Sequence, residues 1–352
     1  MARNVVGLDI GTTAVRAAEV SARRGEIVLK RLGQVALPAG VVVDGEVTEP
    51  EAAAGAIRAL WRRVRIGSKR VVLGVANQRV VVRLVDLPWM QPAELQRSLA
   101  YQAQEYLPIP VDEAELDYNV LAEHGGDEHD GNAGQRLLRV LVVAGHKEML
   151  AGHLRAVALA GLQPVGIDLN AFALVRSLAP VAAVAEEGAE ALIDVGARVT
   201  NVVVHQNSVP RFVRILLMGG QDVTEGVSRL LGVDQETAEQ AKLAASAGGG
   251  DPATGKVVER QLAAFVEEVR GSLDFYRAQA GAVPLERVTV SGGGSLLGPL
   301  AEQLNAALQV PVERGRALAS LRPGRLRLQA EQLAELEPVA AVPVGLALGA
   351  VS

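Results

Sequence analysis

The sequence predicts an α/β chain of two similar domains facing a common cleft, with a small α/β unit inserted into the first half. Three observations lead there. Val5-Val6-Gly7-Leu8-Asp9-Ile10-Gly11-Thr12-Thr13 sets an Asp-x-Gly turn between two β-branched, apolar runs, which reads as a hairpin. Leu192-Ile193-Asp194-Val195-Gly196 repeats that turn, 185 residues from the first aspartate to the second. Val288-Thr289-Val290-Ser291 then runs into Gly292-Gly293-Gly294-Ser295. Repetition on this scale means two related domains.

A turn of this kind aims several backbone N–H groups and the Thr12 and Thr13 hydroxyls at one spot. Gly11 lets a ligand approach with no Cβ in the way. Asp9, at the strand end, faces phosphate across a hydrated Mg²⁺, because hard cations prefer carboxylate and water oxygens. An Asx-type β-turn gives the same pentapeptide. The second copy tips the reading towards nucleotide, since matched turns hold one phosphate chain from both sides. Three glycines at a strand end let an adenine ring lie on backbone, although a tight structural turn uses the same residues.

At 352 residues the chain is long for one core, so two domains or more are expected. Apolar residues make up 49%, which makes it globular rather than disordered. The net charge of −5 argues against nucleic acid and against electrostatic docking on anionic lipid. Cysteine is absent, so disulfides, a thiolate nucleophile and iron–sulfur clusters are excluded. Asp9 interrupts the first apolar run, so no signal peptide is expected. Arg176, Pro180, Pro338 and Pro343 break the later apolar stretches short of the roughly 20 residues a span needs. A cytosolic protein is the expectation.

In chain order, residues 26–34 read as a strand, and Pro38 and Gly40 open a loop. Residues 51–64 carry Ala53, Ile57, Leu60, Trp61 and Val64 at helical spacing. Arg58, Arg62, Arg63 and Arg65 cover the other side and read as a solvated face before a binding patch. Residues 71–76 and 80–87 are strands. The inserted unit, 86–164, holds a helix at 92–106, strands at 115–122 and 137–144, and a helix at 147–160. Its polar tip, 124–132, carries two histidines and three acids but no preorganised support for a metal. Residues 165–190 return to the first domain through a short strand and a crossing helix. Residues 191–337 form the second domain, with helices at 222–231, 235–245 and 257–280. Glu239 and Lys242 share one helix face, as a surface ion pair or as ribose contacts. Gly250 to Lys256 fits G-x₄-G-K, but Val257 stands where a Mg²⁺-binding hydroxyl belongs and no strand precedes it. A last helix is expected at 296–308 and a strand at 311–313. The apolar tail, 338–352, packs back on the first domain.

This order of elements resembles the actin-like (ribonuclease H-like) ATPase superfamily of actin, hexokinase and the heat-shock chaperone ATPases. That resemblance implies a duplicated fold, two domains flanking a nucleotide cleft with a small α/β subdomain inserted in the first half. Within the superfamily the chain resembles the PilM family of type IV pilus assembly over nearly its whole length. The stretches that match are Gly7 to Glu19, Asn77-Gln78-Arg79, Leu87-Pro88-Trp89-Met90, Tyr106-Leu107-Pro108-Ile109-Pro110, Ile193 to Gly196, Gly219-Gly220, Ala238 to Lys242, Val290 to Gly294 and Gly345 to Gly349.

The resemblance implies a site residue by residue. Asp9 and Asp194 organise hydrated Mg²⁺ from two sides. Gly11, Thr12 and Thr13 bind β/γ-phosphate, with Gly196 and Gly220 opposite; Glu239 and Lys242 reach ribose; Gly292, Gly293 and Gly294 back adenine. Ala197-Arg198 depart from the small or hydroxylated continuation usual there, so Arg198 either touches phosphate or crowds the turn. Residues 226–284 correspond to a smaller second subdomain. The implied partner is the N-terminal cytoplasmic peptide of PilN, taken near Asn77, Gln78, Arg79, Leu87 and Pro88. Other pilus platform proteins, motor ATPases and self-association are implied as well, with membrane association only indirect. Asp168 is the candidate to orient water for hydrolysis, with Asn170 beside it, although Asp168 equally caps a helix. Tight ATP binding with slow or negligible turnover is expected. The competing readings are a cell-division actin homologue of the FtsA type and a small-molecule kinase of the same fold.

Overall fold

The β-branched runs on either side of Asp9 leave a six-stranded sheet as the way to pair their backbones. In the computed structural model, which describes residues 3–23, 26–125, 136–179, 188–279, 281–324, 326 and 328–351, the chain forms two compact units, Met1–Asn77 with His153–Ser352, and Gln78–Gly152.

In the first unit, β1 (Arg3–Ile10), β2 (Ala14–Arg23) and β3 (Glu26–Ala36) form an antiparallel meander. Two short strands, β4 (Val42–Val43) and β5 (Glu46–Val47), close on Asp44 and Gly45, both at positive φ. Asp-Gly between valines is a hairpin signal, and the reading of this stretch as plain loop missed it. Helix α1 (Pro50–Val64) leads to β6 (Arg70–Val75), which lies parallel to β1.

The second unit contains β7 (Val80–Pro88), α2 (Pro92–Ala103), β8 (Ala114–His124) and β9 (Leu137–His146), in the antiparallel order β7-β9-β8. Val81, Val85 and Leu87 of β7 and Val140 and Val142 of β9 pack with Leu95 and Leu99 of α2. The insertion therefore begins before residue 86, because β7 hydrogen-bonds along its whole length to β9. It also ends before 164, because Ala156 and Val157 of α3 (Lys147–Leu159) belong to the core of the first unit. Most of the polar tip and residues 180–187 lie outside the described residues. Among the described residues there is no cluster of three or more metal-ligating acids or histidines.

The chain returns through β10 (Gln163–Leu169), parallel to β6, and α4 (Asn170–Leu178). A second meander, β11 (Ala189–Val195), β12 (Thr200–Gln206) and β13 (Val209–Leu216), repeats the first. Helices α5 (Gly220–Leu231), α6 (Gln235–Ser246) and α7 (Pro252–Arg277) follow. Asp251 caps α7 through Thr254 N at 3.3 Å, so the G-x₄-G-K stretch is the first turn of a helix and no phosphate loop. Strand β14 (Leu285–Ser291) lies parallel to β11, α8 (Leu300–Leu308) leads to β15 (Val312–Arg314), and β16 (Arg322–Pro323), α9 (Ala330–Leu336) and α10 (Ala341–Gly349) end the described chain.

Strand order makes the duplication explicit: β3-β2-β1-β6-β10 in one sheet and β13-β12-β11-β14-β15 in the other. An apolar layer formed by α4 and α10 lies between them, joining Val5 and Val20 of the first sheet to Leu192 and Val203 of the second. Close approach is enforced by glycine. A Cβ on Gly7 would fall 2.0 Å from Pro343 O, and one on Gly345 1.8 Å from Ala173 O. Residues 226–284 share one core with the second sheet, through Val227, Leu262, Phe265 and Leu273.

Candidate functional site

Both Asp-x-Gly turns close the same way. Gly11 N donates to Ala14 O at 3.0 Å, and Gly196 N donates to Val199 O at 3.1 Å. Each aspartate ends the first strand of its sheet, Asp9 in register with Gly74 and Asp194 with Ser291. Ligands of open α/β sheets bind at these carboxyl ends. Asp9 and Asp194 line one crevice together with Gly11, Thr12, Thr13 and Gly196.

Burial dominates the electrostatics. Desolvation pushes the Asp9 carboxyl above its ordinary range, opposed by Arg16, whose Nη1 lies 3.3 Å from Oδ2, and by Asn170. Burial pushes Asp194 up to about 6, and the negative charge of Asp9 adds to the rise. Ser291 Oγ donates to Asp194 at 2.8 Å and works against it. Asn170 and Asn201, both buried and both lining the crevice, have side-chain oxygens without a hydrogen-bond partner. Two carboxylates and two unengaged carboxamide oxygens make an all-oxygen donor set, which suits a magnesium ion that keeps most of its waters.

The crevice opens beside a wider cleft lined by Thr12, Thr13, Gly196, Arg198, Gly220, Glu239, Lys242, Gly293 and Gly294, and by Leu243 and Leu296. The roles of these residues differ from one another. Gly220 N and Gln221 N, at the start of α5, donate to Gly196 O and Ala197 O at 2.9 and 2.7 Å and clamp the second turn to the helix. Gly292 sits at φ +83°, donates to Pro338 O, and would bring a Cβ within 2.4 Å of Val195 O. It shapes the turn and does not line the cleft. Gly294 is held close to Val195 in the same way.

Four expectations need correction. Lys242 does not present a free ammonium to a ribose: its Nζ is bonded to Gly220 O at 3.2 Å, Thr224 Oγ1 at 3.0 Å and Glu239 Oε2 at 2.7 Å, which uses all three donors. Its partner Glu239 remains half exposed at the cleft. Arg198 is paired to Asp222 at 2.9 Å and to Glu225, so its charge is neutralised on α5. Asp168 does not line the crevice; Arg176, buried enough to hold its pKa down at about 10, binds its carboxylate. Its neighbour Asn170 lines the crevice instead. Finally, Leu87 belongs to the core of the inserted unit and Asn77 is buried with Nδ2 2.6 Å from Asp44 O, whereas Gln78 and Pro88 are exposed. Arg79 engages His146 at 2.7 Å and Glu148 at 2.9 Å.

Sequence reasoning missed Arg16, Asn201 and the Asp44-Gly45 hairpin, which all face these clefts. Arg16 and Asn201 stand opposite the two aspartates across their hairpins, so strand register was the signal available.

Among solved structures the chain resembles a PilM–PilN type IV pilus biogenesis complex, with 31% identity, 99% of this chain and 98% of that chain covered, and a TM-score of 0.86. An archaeal actin homologue, Ta0583, shares the fold at 14% identity and a TM-score of 0.51, with 99% of each chain covered. The cell division protein FtsA of Streptococcus pneumoniae serotype 2 (strain D39 / NCTC 7466) is 26% identical over 258 residues, 67% of this chain. The match spans about half of that relative, 54% of its length. The fold is therefore actin-like. The type IV pilus assembly protein PilM family matches from residue 7 to residue 351, and the chain belongs to that family.

Proposed function

We propose that the chain binds Mg·ATP between its two Asp-x-Gly turns and, in that state, docks the N-terminal cytoplasmic tail of PilN as part of the pilus assembly platform. The observation that carries the nucleotide half is the convergence of Asp9 and Asp194 on one crevice. Mg²⁺ supplies charge neutralisation for the phosphates when bound. Asp9, Asp194 and the oxygens of Asn170 and Asn201 hold its water shell. Backbone N–H groups and hydroxyls at Thr12 and Thr13 contact phosphate, and Arg16, already beside Asp9, adds the cation of the first turn. Lys242 keeps Glu239 aimed at the cleft and holds α6 on α5.

Turnover is slow or absent on this reading. Attack on a γ-phosphate needs a group that orients water. Asn170 can orient a water but cannot take its proton, and Asp168 is held by Arg176. Nucleotide occupancy then acts as a state of the assembly instead of a source of work.

The partner half rests on family membership and on the related complex. Gln78 and Pro88 are the accessible members of the implied docking region. Contacts with further platform proteins, motor ATPases and a second copy belong to the same reading, as does a place at the inner face of the cell membrane reached through partners. No described helix is long and apolar enough to cross a membrane. Helix α10 is buried from Ala341 to Leu348 and is itself no lipid-binding helix. Pull-down of the full chain with a PilN-type N-terminal peptide, with and without Mg·ATP, tests the proposal. Capture enhanced by Mg·ATP supports it; no capture in either state removes the pilus-docking role.

A further inference from the structure

No acid occurs between Glu51 and Asp86, while Arg58, Arg62, Arg63, Arg65, Lys69 and Arg70 crowd the first part of that interval. All six are exposed. Several other arginines among the described residues are matched to a carboxylate, as in Arg139 with Asp86 or Arg155 with Glu51. Arg62, Arg63, Arg65, Lys69 and Arg70 have no carboxylate within ion-pair distance among the described residues. Favourable interaction with the end of α1 accounts for Arg62 and Arg63, in its last turn. Arg65 is the left-handed C-cap of the same helix, whereas Lys69 and Arg70 lie beyond it.

Arg63 and Arg65 also line a second open cleft, whose lining includes the half-buried Leu326 and Leu328, the core residue Leu336 at their base, and a single acid, Glu335. A leucine wall beside unmatched guanidiniums wants a ligand apolar on one side and anionic on the other. The concavity fits a helix and not a flat bilayer. We propose that this cleft docks an acidic amphipathic helix of a partner protein, with leucine-type side chains on Leu326 and Leu328 and carboxylates on Arg63 and Arg65. The cleft adjoins the Asp9–Asp194 crevice, with Thr13 and Arg16 lining both, so peptide binding is read in the absence of nucleotide.

The test uses the full chain and a fluorescein-labelled synthetic Glu/Leu peptide of amphipathic helical pattern, followed by anisotropy. A scrambled peptide of equal composition is the control, and thermal melting checks the fold of each variant. Saturable binding is expected, weakened at least about tenfold in R63E/R65E and by raising salt from about 50 to about 300 mM. R63Q/R65Q, which removes charge without reversing it, replaces the first variant if that one melts early. Equal binding of the scrambled peptide, or affinity unchanged in the folded variant, overturns the proposal. So does co-sedimentation with phosphatidylglycerol vesicles in the absence of peptide binding.

Discussion

Arg16 and Asp9 face each other across the first hairpin, in register on β2 and β1, with Nη1 3.3 Å from Oδ2. The guanidinium is the nearest counter-charge to a carboxylate that burial drives towards its neutral form. Replacing Arg16 by Met keeps the bulk and removes the cation. The expected result is nucleotide affinity weaker by about tenfold or more, the size of one charge-assisted hydrogen bond. Titration with a fluorescent ATP analogue in Mg²⁺ reads it, and unchanged affinity contradicts the role given to Arg16.

Asp194 holds its proton up to about pH 6, against an ordinary carboxylate value of 3.8. The folded chain therefore binds more protons than the unfolded chain between those values, so this group's contribution to stability falls as pH rises through that window. Above it, the ionised carboxylate costs the ligand-free protein about 3 kcal/mol. D194N should accordingly raise the melting temperature of ligand-free protein at pH 7.5 (about neutral) and lose that gain at about pH 4, while losing Mg·nucleotide retention. A variant no more stable than the parent at either pH contradicts the burial argument.

Gly345 gives α10 its contact with α4, where a Cβ would stand 1.8 Å from Ala173 O. G345A should destabilise the first unit by about 3 kcal/mol, since backbone must move to admit the methyl. Urea denaturation measures it. A loss under about 0.5 kcal/mol would mean that the layer between the sheets is looser than described.

Leu87 is fully buried beneath α2 and Pro88 is exposed next to it. L87A should cost about 2–4 kcal/mol through the cavity it leaves, with P88A near neutral. Limited proteolysis of the inserted unit separates the two. Equal resistance in both variants contradicts the placement of Leu87.

Local chemistry decided what could be read beforehand. The Asp9 and Asp194 turns were legible because strand, turn and strand are adjacent in sequence, and the helices read at 51–64 and 257–280, found at Pro50–Val64 and Pro252–Arg277, because their apolar spacing is long. The helix expected from 296 begins at Leu300, since Pro299 and the three-glycine turn delay it, and Leu296 is left exposed in the cleft. The occupation of Asp168 by Arg176, and of Lys242 by Gly220, Thr224 and Glu239, depends on which elements meet in space. Residue type at these positions permits either role, and tertiary packing selects one.

Calorimetric titration of Mg·ATP into the parent chain, D9A and D194A measures the shared crevice most directly. The expected result is saturable binding by the parent and affinity lower by about a hundredfold in each variant, since each removes one of the two carboxylates proposed to hold the metal's water shell. Absence of binding by the parent, or affinity in both variants equal to the parent's, would contradict the convergence of the two turns on one metal–nucleotide.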